Sequence, residues 1–543
     1  MNVAELVGST LADLGADHVF GVVGSGNFHV TNALVARGVR FVATRHEGGA
    51  ATAADAYARV SGGVGLVSVH QGCGLTNAMT GIAEAAKSRT PLIVLAAEPA
   101  ASALRSNFRV DQDALAVAVG AVSHRVHGPA TAVADTVRAW RVAVGERRTV
   151  VLNLPLDVQA AAASPAPLPA APVVEPPRAA DEAVAALVGL LDGAARPVFI
   201  AGRGALGARP ELEELADACG ALLATSAAAK GLFAGNDWNL DVSGGFATPL
   251  AAELIAAADV VVAWGASLNM WTSRHGALIS ADAAVAQVDL DPAALGGHHR
   301  IDLGVVGDVA LSARSVRAAL TRAGSGYRTS EVRRRLSIEG RWRDVGYADD
   351  GDDLHIDPRT ASIVLDDLLP AERVVAVDSG NFMGYPSMFL SVPDHRGFCF
   401  TQAFQSVGLG LASALGAALA QPDRLPVAAC GDGGFLMGIA ELDTIRRLGL
   451  GMLVLVYNDS AYGAEVHHFG PAGHPLATVE FPETDLAAIG RGHGCEGVTV
   501  RAPADLAAVS VWLAGPREVP LVVDLKVAAG RPSWWLEEAF RGH

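Results

Sequence analysis

Short apolar strands alternate with alanine- and glycine-rich helical stretches in three successive blocks, and this pattern constrains the chain more than any other feature. In the first 160 residues the strand candidates are HVFGVV, RFVAT, GLVSVH, PLIVLAA and TVVLNLP. Apolar runs separated by helices are what a parallel sheet buried on both faces requires. The alternation returns in 183–325, with PVFIA, DVVVAWGAS and AAVAQVDLDP. It returns again in 356–530, with RVVAVDSG, PVAACGDGG, MLVLVYND and PLVVDLKV. A proline-rich run, 161–182, and a polar, charged stretch, 326–355, separate the blocks. A tail with two tryptophans, 531–543, follows the last one. The expectation is an α/β protein of three doubly wound parallel-sheet domains, joined by an extended linker and a partly helical connector.

Composition narrows the partners. The 543 residues are 51% apolar and 18% charged, enough to fill several cores. The net charge is −16 and no basic block interrupts it, which argues against nucleic acid as the main partner. Val3, Leu6, Val7, Leu11 and Leu14 recur at helical spacing with acids between them, so the N-terminus reads as an amphipathic helix and not a signal peptide. No run of about 18 uncharged apolar residues suggests a membrane span. Cys73, Cys219, Cys399, Cys430 and Cys495 form no CxxC pair, which suits a reducing, cytoplasmic setting without structural zinc.

Chemistry concentrates in the third block, in CGDGGFLMGIAELDTIRRLGLGMLVLVYNDSAYG. One strand ends in Gly431, Asp432 and Gly433, followed by Gly434 and a helix; the next apolar strand ends in Asn458 and Asp459. Glycines there let backbone approach a bulky anion and turn N–H groups toward phosphate. Asp432 and Asn458, at the carboxyl ends of two strands, are hard oxygen donors that suit Mg²⁺. A competing signal, Gly202, Gly204 and Gly207, matches GxGxxG, but the next strand, ALLATSAAAK, ends without the acid that would hold a ribose. That motif reads as a tight strand-to-helix turn. In the first block, RHEGGAATAADAYARVSG places Glu47 at the mouth of a helix of small residues. It is either a helix N-terminal charge or a functional group the site presents.

GDG, 24 further residues and then Asn-Asp resembles the signature of thiamine-diphosphate enzymes, usually GDG followed by two asparagines. The order of the blocks is similar to that family's pyrimidine, central and diphosphate domains, closest to the acetolactate synthase and benzoylformate decarboxylase group. The resemblance implies thiamine diphosphate and Mg²⁺ as cofactors, with the metal on Asp432, Asn458 and the backbone carbonyl of Ser460. It implies that Glu47, matching the family's glutamate in an RHE turn, hydrogen-bonds the aminopyrimidine ring. The ring can then take the proton from the thiazolium carbon. In this family the two half-sites come from different subunits, so a homodimer or homotetramer is implied.

Other positions follow by the same resemblance. In GVVGSGNFH, Ser25 is placed to bind a substrate carboxylate. His70, 23 residues after Glu47, matches a proton-moving histidine of the decarboxylases. The Gly72, Gly74, Thr76 and Asn77 pattern after it resembles acetolactate synthases. Gln112 matches a substrate-side residue of the synthases. Asn381 and Phe382 fall near the pyrimidine, and Val407 falls where a large apolar residue bends the cofactor. Tyr462 and Gly463 run over the site, and Glu465, His467 and His468 after them either face substrate or form a solvated helix face. Where acetolactate synthases hold FAD, this chain reads WGASLNMWTSRHGALIS; it lacks their acidic pair and carries Trp271 and Arg274. The expected activity is decarboxylation of a 2-oxo acid with carboligation to a second carbonyl. The alternatives are a simple decarboxylase, a 2-hydroxyacyl thioester lyase, or a non-catalytic relative that binds or regulates.

Overall fold

The protein is described by a computed structural model covering residues 1–169, 174–321, 324 and 326–536. Residues 170–173 of the linker, 322, 323 and 325 of the central block, and 537–543 of the tail lie outside the described residues. Three six-stranded sheets carry the fold, and every strand pairing in them is parallel.

The first sheet contains β1 (His18–Gly21), β2 (Arg40–Ala43), β3 (Gly65–Val69), β4 (Leu92–Glu98), β5 (Val122–Arg125) and β6 (Thr149–Pro155), in the order 2-1-3-4-6-5. The second contains β7 (Pro197–Ala201), β8 (Leu222–Thr225), β9 (Asn239–Val242), β10 (Val260–Trp264), β11 (Ala284–Asp289) and β12 (Leu303–Val306), in the order 12-11-10-7-8-9. The third contains β13 (Arg373–Val377), β14 (Phe398–Phe400), β15 (Leu425–Gly431), β16 (Leu453–Asn458), β17 (Glu496–Val500) and β18 (Leu521–Lys526), in the order 14-13-15-16-18-17. Counted within its own domain, the third order repeats the first. In both, the chain reverses direction across the sheet between the first and third strands, and ligands of open α/β sheets gather at such switch points.

The first and third domains share one core. Helix Glu47–Ser61 lies against helix Gly410–Ala420, and buried residues of both belong to a single apolar cluster. Small residues make this approach feasible: a Cβ on Gly416 would meet the backbone of Ala53. Close packing of that kind leaves no room for a larger side chain.

The connecting segments differ from their sequence reading in detail. Tyr327 and Val332, in the stretch read as connector, are buried in the central domain's core. The helix Asp181–Gly193 starts inside the stretch read as linker. The tail is docked as far as it is described. Trp535 is buried, its Nε1 donates to Asn381 O at 3.2 Å, and Trp534 lies under the Arg274 guanidinium at 4.8 Å.

Candidate active site

Two clusters of polar groups lie at the two switch points. At the end of β15, Asp432 opens helix Asp432–Gly438 with Gly431 before it. The glycines here are required by their neighbours. A Cβ on Gly431 would lie 3.1 Å from the Phe382 ring, one on Gly433 2.7 Å from Tyr462 Cε1, and one on Gly434 would collide with the Asp378 carboxylate. Phe382, Gly431, Asp432, Gly433 and Gly434, with Asn381, Val407, Asp459, Ala461, Tyr462, Gly463 and Glu465, line one cavity of about 1740 Å³ that continues over the carboxyl ends of the central sheet.

Two groups read from sequence as metal ligands, Asn458 and the Ser460 carbonyl, have partners within the protein. Asn458 is buried and its side chain is fully used: Nδ2 donates to Asp524 Oδ1 at 2.8 Å, and Oδ1 accepts from Ser460 N at 3.1 Å. Asn458 is the last residue of β16, paired with Lys526, and strand alternation puts it on the same face as Asp524. The Ser460 carbonyl accepts from Phe481 N at 2.8 Å. Asp459, one residue beyond the strand, reaches the cavity instead. Burial pushes Asp432 up to about 6. Burial, and after it the Asp432 charge, push Asp459 up to about 7.

Asp378, just past the end of β13, was not singled out from sequence. It is fully buried, and its carboxylate accepts from Ser379 N at 2.8 Å, Gly408 N at 3.1 Å and Leu409 N at 3.1 Å. It thereby fixes the loop that carries Val407. Burial outweighs those bonds and raises it to about 6. The signal available was an apolar run ending in an acid at a strand terminus. Asn381 is gripped from the tail: Ser533 Oγ donates to its Oδ1 at 2.5 Å. Phe382 is buried and stacks on Tyr457 with ring centroids 5.5 Å apart.

The second cluster belongs to the first sheet. Glu47 begins its helix after the N-cap His46, and Asn77 Nδ2 donates to Glu47 Oε2 at 3.0 Å. His70, half-buried beyond β3, packs edge-on to Phe108. Gly26 N–H donates to His70 Nδ1 at 3.1 Å, so the neutral ring carries its proton on Nε2. Burial lowers its pKa, and the nearby Glu47 charge offsets part of that. Ser25 is exposed in the same turn. Gln112 departs from the sequence reading. It is buried, its Oε1 accepts from Gly72 N at 3.1 Å, and its Nε2 donates to Asn153 Oδ1 at 2.8 Å. With both ends of the amide engaged, it braces the turn after β3 and is not placed to meet substrate.

Among the described residues that line the large cavity, none is Glu47, His70 or Ser25. That cavity, as one chain forms it, does not take in the Glu47 cluster. In the central domain, Gly202 N–H donates to Trp264 O at 2.9 Å and Gly204 N–H to Gly265 O at 3.0 Å. A Cβ on Gly204 would lie 2.8 Å from Gly265 Cα. These glycines serve a close crossing of two strand ends. Arg274, in the segment weighed for FAD, spends its Nε on Gly244 O at 3.0 Å.

Comparison with known proteins agrees with this layout. The models of the thiamine pyrophosphate enzyme N-terminal TPP binding domain, central domain and C-terminal TPP binding domain match residues 1–117, 184–316 and 378–525. The chain belongs to the thiamine pyrophosphate enzymes. It is 31% identical over 523 residues to a probable 2-ketoarginine decarboxylase of Pseudomonas aeruginosa, covering 91% of this chain and 88% of that one. It is 28% identical over 514 residues to the acetolactate synthase large subunit of Parasynechococcus marenigrum, covering 90% and 81%. It is 26% identical over 536 residues to a sulfoacetaldehyde acetyltransferase of Alcaligenes xylosoxydans xylosoxydans, covering 92% and 88%. The protein is thus a thiamine-diphosphate-dependent enzyme of the acetolactate synthase and decarboxylase family. No helix among the described residues is long and apolar enough to cross a membrane.

Proposed function

We propose that the enzyme decarboxylates a 2-oxo acid and releases the product as an aldehyde, with Glu47 and His70 handling the protons. The observation that carries this reading is His70: Gly26 fixes its tautomer and Glu47 lies close enough to affect its charge. Thiamine diphosphate, when bound, would supply a nucleophilic carbon and an electron sink for the C–C bond that breaks. Glu47, oriented by Asn77, holds a proton at the aminopyrimidine ring. His70 holds one at Nε2 for the substrate side, and Ser25 is free to meet the substrate carboxylate.

The third domain fits the diphosphate end. Its glycines leave room that any side chain would fill, and Asp432 opens a helix beside them. Asp432, Asp459 and the carbonyl of Ala461 would hold Mg²⁺, whose charge relieves the repulsion between two carboxylates in one cavity. The cavity that one chain forms is lined by the diphosphate-end residues and not by Glu47, His70 or Ser25, which supports a homodimer or homotetramer with sites at the interface. A second reading, carboligation to another carbonyl, draws on the synthase-like turn that carries Asn77.

Product analysis tests both. Protein, thiamine diphosphate and Mg²⁺ are incubated with pyruvate and with larger 2-oxo acids, and CO₂ and carbon products are read by mass spectrometry. Aldehyde formation that is lost in His70→Ala supports the proposal. An acyloin product such as acetolactate moves the assignment to the carboligase. No CO₂ from any 2-oxo acid overturns the decarboxylation reading.

A further inference from the structure

Two buried glutamates occupy matching places in the two outer domains. Each follows the third strand of its sheet: Glu84 in helix Cys73–Lys87 after β3, and Glu441 in helix Ala440–Arg447 after β15. Each reaches out of its own domain to the segment after the second strand of the other. Glu441 Oε1 accepts from Arg45 N at 3.2 Å and from His46 N at 3.0 Å, just after β2. Glu84 accepts from Ala403 N at 3.1 Å and from Phe404 N at 2.6 Å, just after β14. The repeated strand order makes the two positions equivalent, and the contacts are reciprocal.

We propose that these glutamates form a reciprocal pair of carboxylate clasps, and that Glu441 is a positioning residue for Glu47. The turn it holds ends at Glu47, the first residue of its helix. A carboxylate bonded to N–H groups at a helix start is favoured by charge-assisted hydrogen bonds and by the helix dipole. The Thr444 hydroxyl donates to Glu441 Oε2 at 2.7 Å and fixes the carboxylate from behind. The contact also explains the second glycine of the Glu-Gly-Gly run: a Cβ on Gly49 would lie 2.7 Å from Glu441 Cδ. Glu84 carries a heavier load, because it also pairs with Arg59 at 2.7 Å. Its clasp holds the segment that leads to Val407. Glu441 lies between the GDG and Asn-Asp ends of the third-block signature without belonging to either, and Glu84 lies outside it.

The proposal rests on Glu47 acting at the cofactor, so Glu47→Gln accompanies every measurement. Glu441→Gln keeps the shape of the side chain and removes its charge. In cofactor-free protein, amide hydrogen exchange read by mass spectrometry should rise at least about tenfold in residues 44–50, with β3 and β4 unchanged. In the loaded protein, exchange of the thiazolium C2 proton, read by quenched-flow NMR, should slow by roughly 10–100-fold, since a displacement of about 1 Å costs on the order of 10²-fold. Cofactor affinity should stay within about threefold, because the diphosphate end is untouched. Thr444→Val should shift both readouts in the same direction by less, and it serves if Glu441→Gln does not fold. Parental amide protection in the turn overturns the clasp. Parental C2 exchange in Glu441→Gln, where Glu47→Gln abolishes it, overturns the positioning role alone. Parental exchange in Glu47→Gln removes the reading of Glu47 and the proposal with it.

Discussion

Replacing Gly463 by alanine should separate helix stability from cofactor binding. Gly463 is the first residue of helix Gly463–Phe469 and is not in the left-handed region, so alanine brings no backbone strain and slightly lowers the entropy of the unfolded chain. Local stability should therefore hold or rise. The site should not tolerate the change. The added Cβ would press well inside contact distance on Asp459 Oδ2 and would lie 2.9 Å from Asn381 Nδ2. Carbon contacts are optimal at about 3.5–4.0 Å, so one neighbour must retreat by about 1 Å. Asn381 is held by Ser533 Oγ at its Oδ1 and by Trp535 Nε1 at its backbone oxygen, so Asp459 gives way. With Asp459 holding Mg²⁺ as proposed, a displacement that large should cost affinity on the order of 10–100-fold. The assay is calorimetric titration of thiamine diphosphate at fixed Mg²⁺, with thermal melting of the cofactor-free protein alongside. Gly470→Ala is the control, because a Cβ there meets only Leu476 Cδ1 at 3.4 Å. Affinity within twofold of the parent in Gly463→Ala, with melting unchanged, would refute the steric reasoning and the placement of Asp459 at the metal.

Three further outcomes are expected. Asp459→Ala should abolish Mg²⁺-dependent cofactor binding in calorimetry, whereas Asn458→Ala should keep it and lose stability by about 1–3 kcal/mol, since Asp524 loses a buried partner; the reverse ranking sinks the proposed metal set. Gln112→Ala should lower the melting temperature through the orphaned Gly72 N–H and Asn153 amide, with KM unchanged; a raised KM without destabilisation would return Gln112 to the substrate. Asp378 holds its proton up to about 6 in the folded chain but only to 3.8 when unfolded, so its contribution falls as pH rises from about 4 to about 6. Asp378→Asn should therefore gain stability relative to the parent over that interval, by on the order of 3 kcal/mol. Parallel pH profiles of melting for the two proteins would contradict the sign.

The strands, the three-block order and both motif clusters could be read from the chain because they are local. An apolar run bounded by small residues is a strand wherever it lies, and Gly431–Gly434 announce an anion-binding turn through backbone geometry alone. The small residues of the Glu47 helix likewise announced close backbone approach, and Gly416 and Ala53 show it. What the chain did not disclose depends on partners far away in sequence. Whether Asn458 or Asp459 faces the cavity is a question of which strand face Asp524 occupies, set by a pairing 66 residues away. Gln112 looked free until Gly72 and Asn153 claimed both ends of its amide. Glu441 carries no local signature, because its meaning is a turn 395 residues earlier that folding brings within 3.0 Å. Side-chain type and spacing fix what a segment can do, while a buried polar group must be satisfied by whatever the packed sheets bring to it, and that pairing exists only in the tertiary structure.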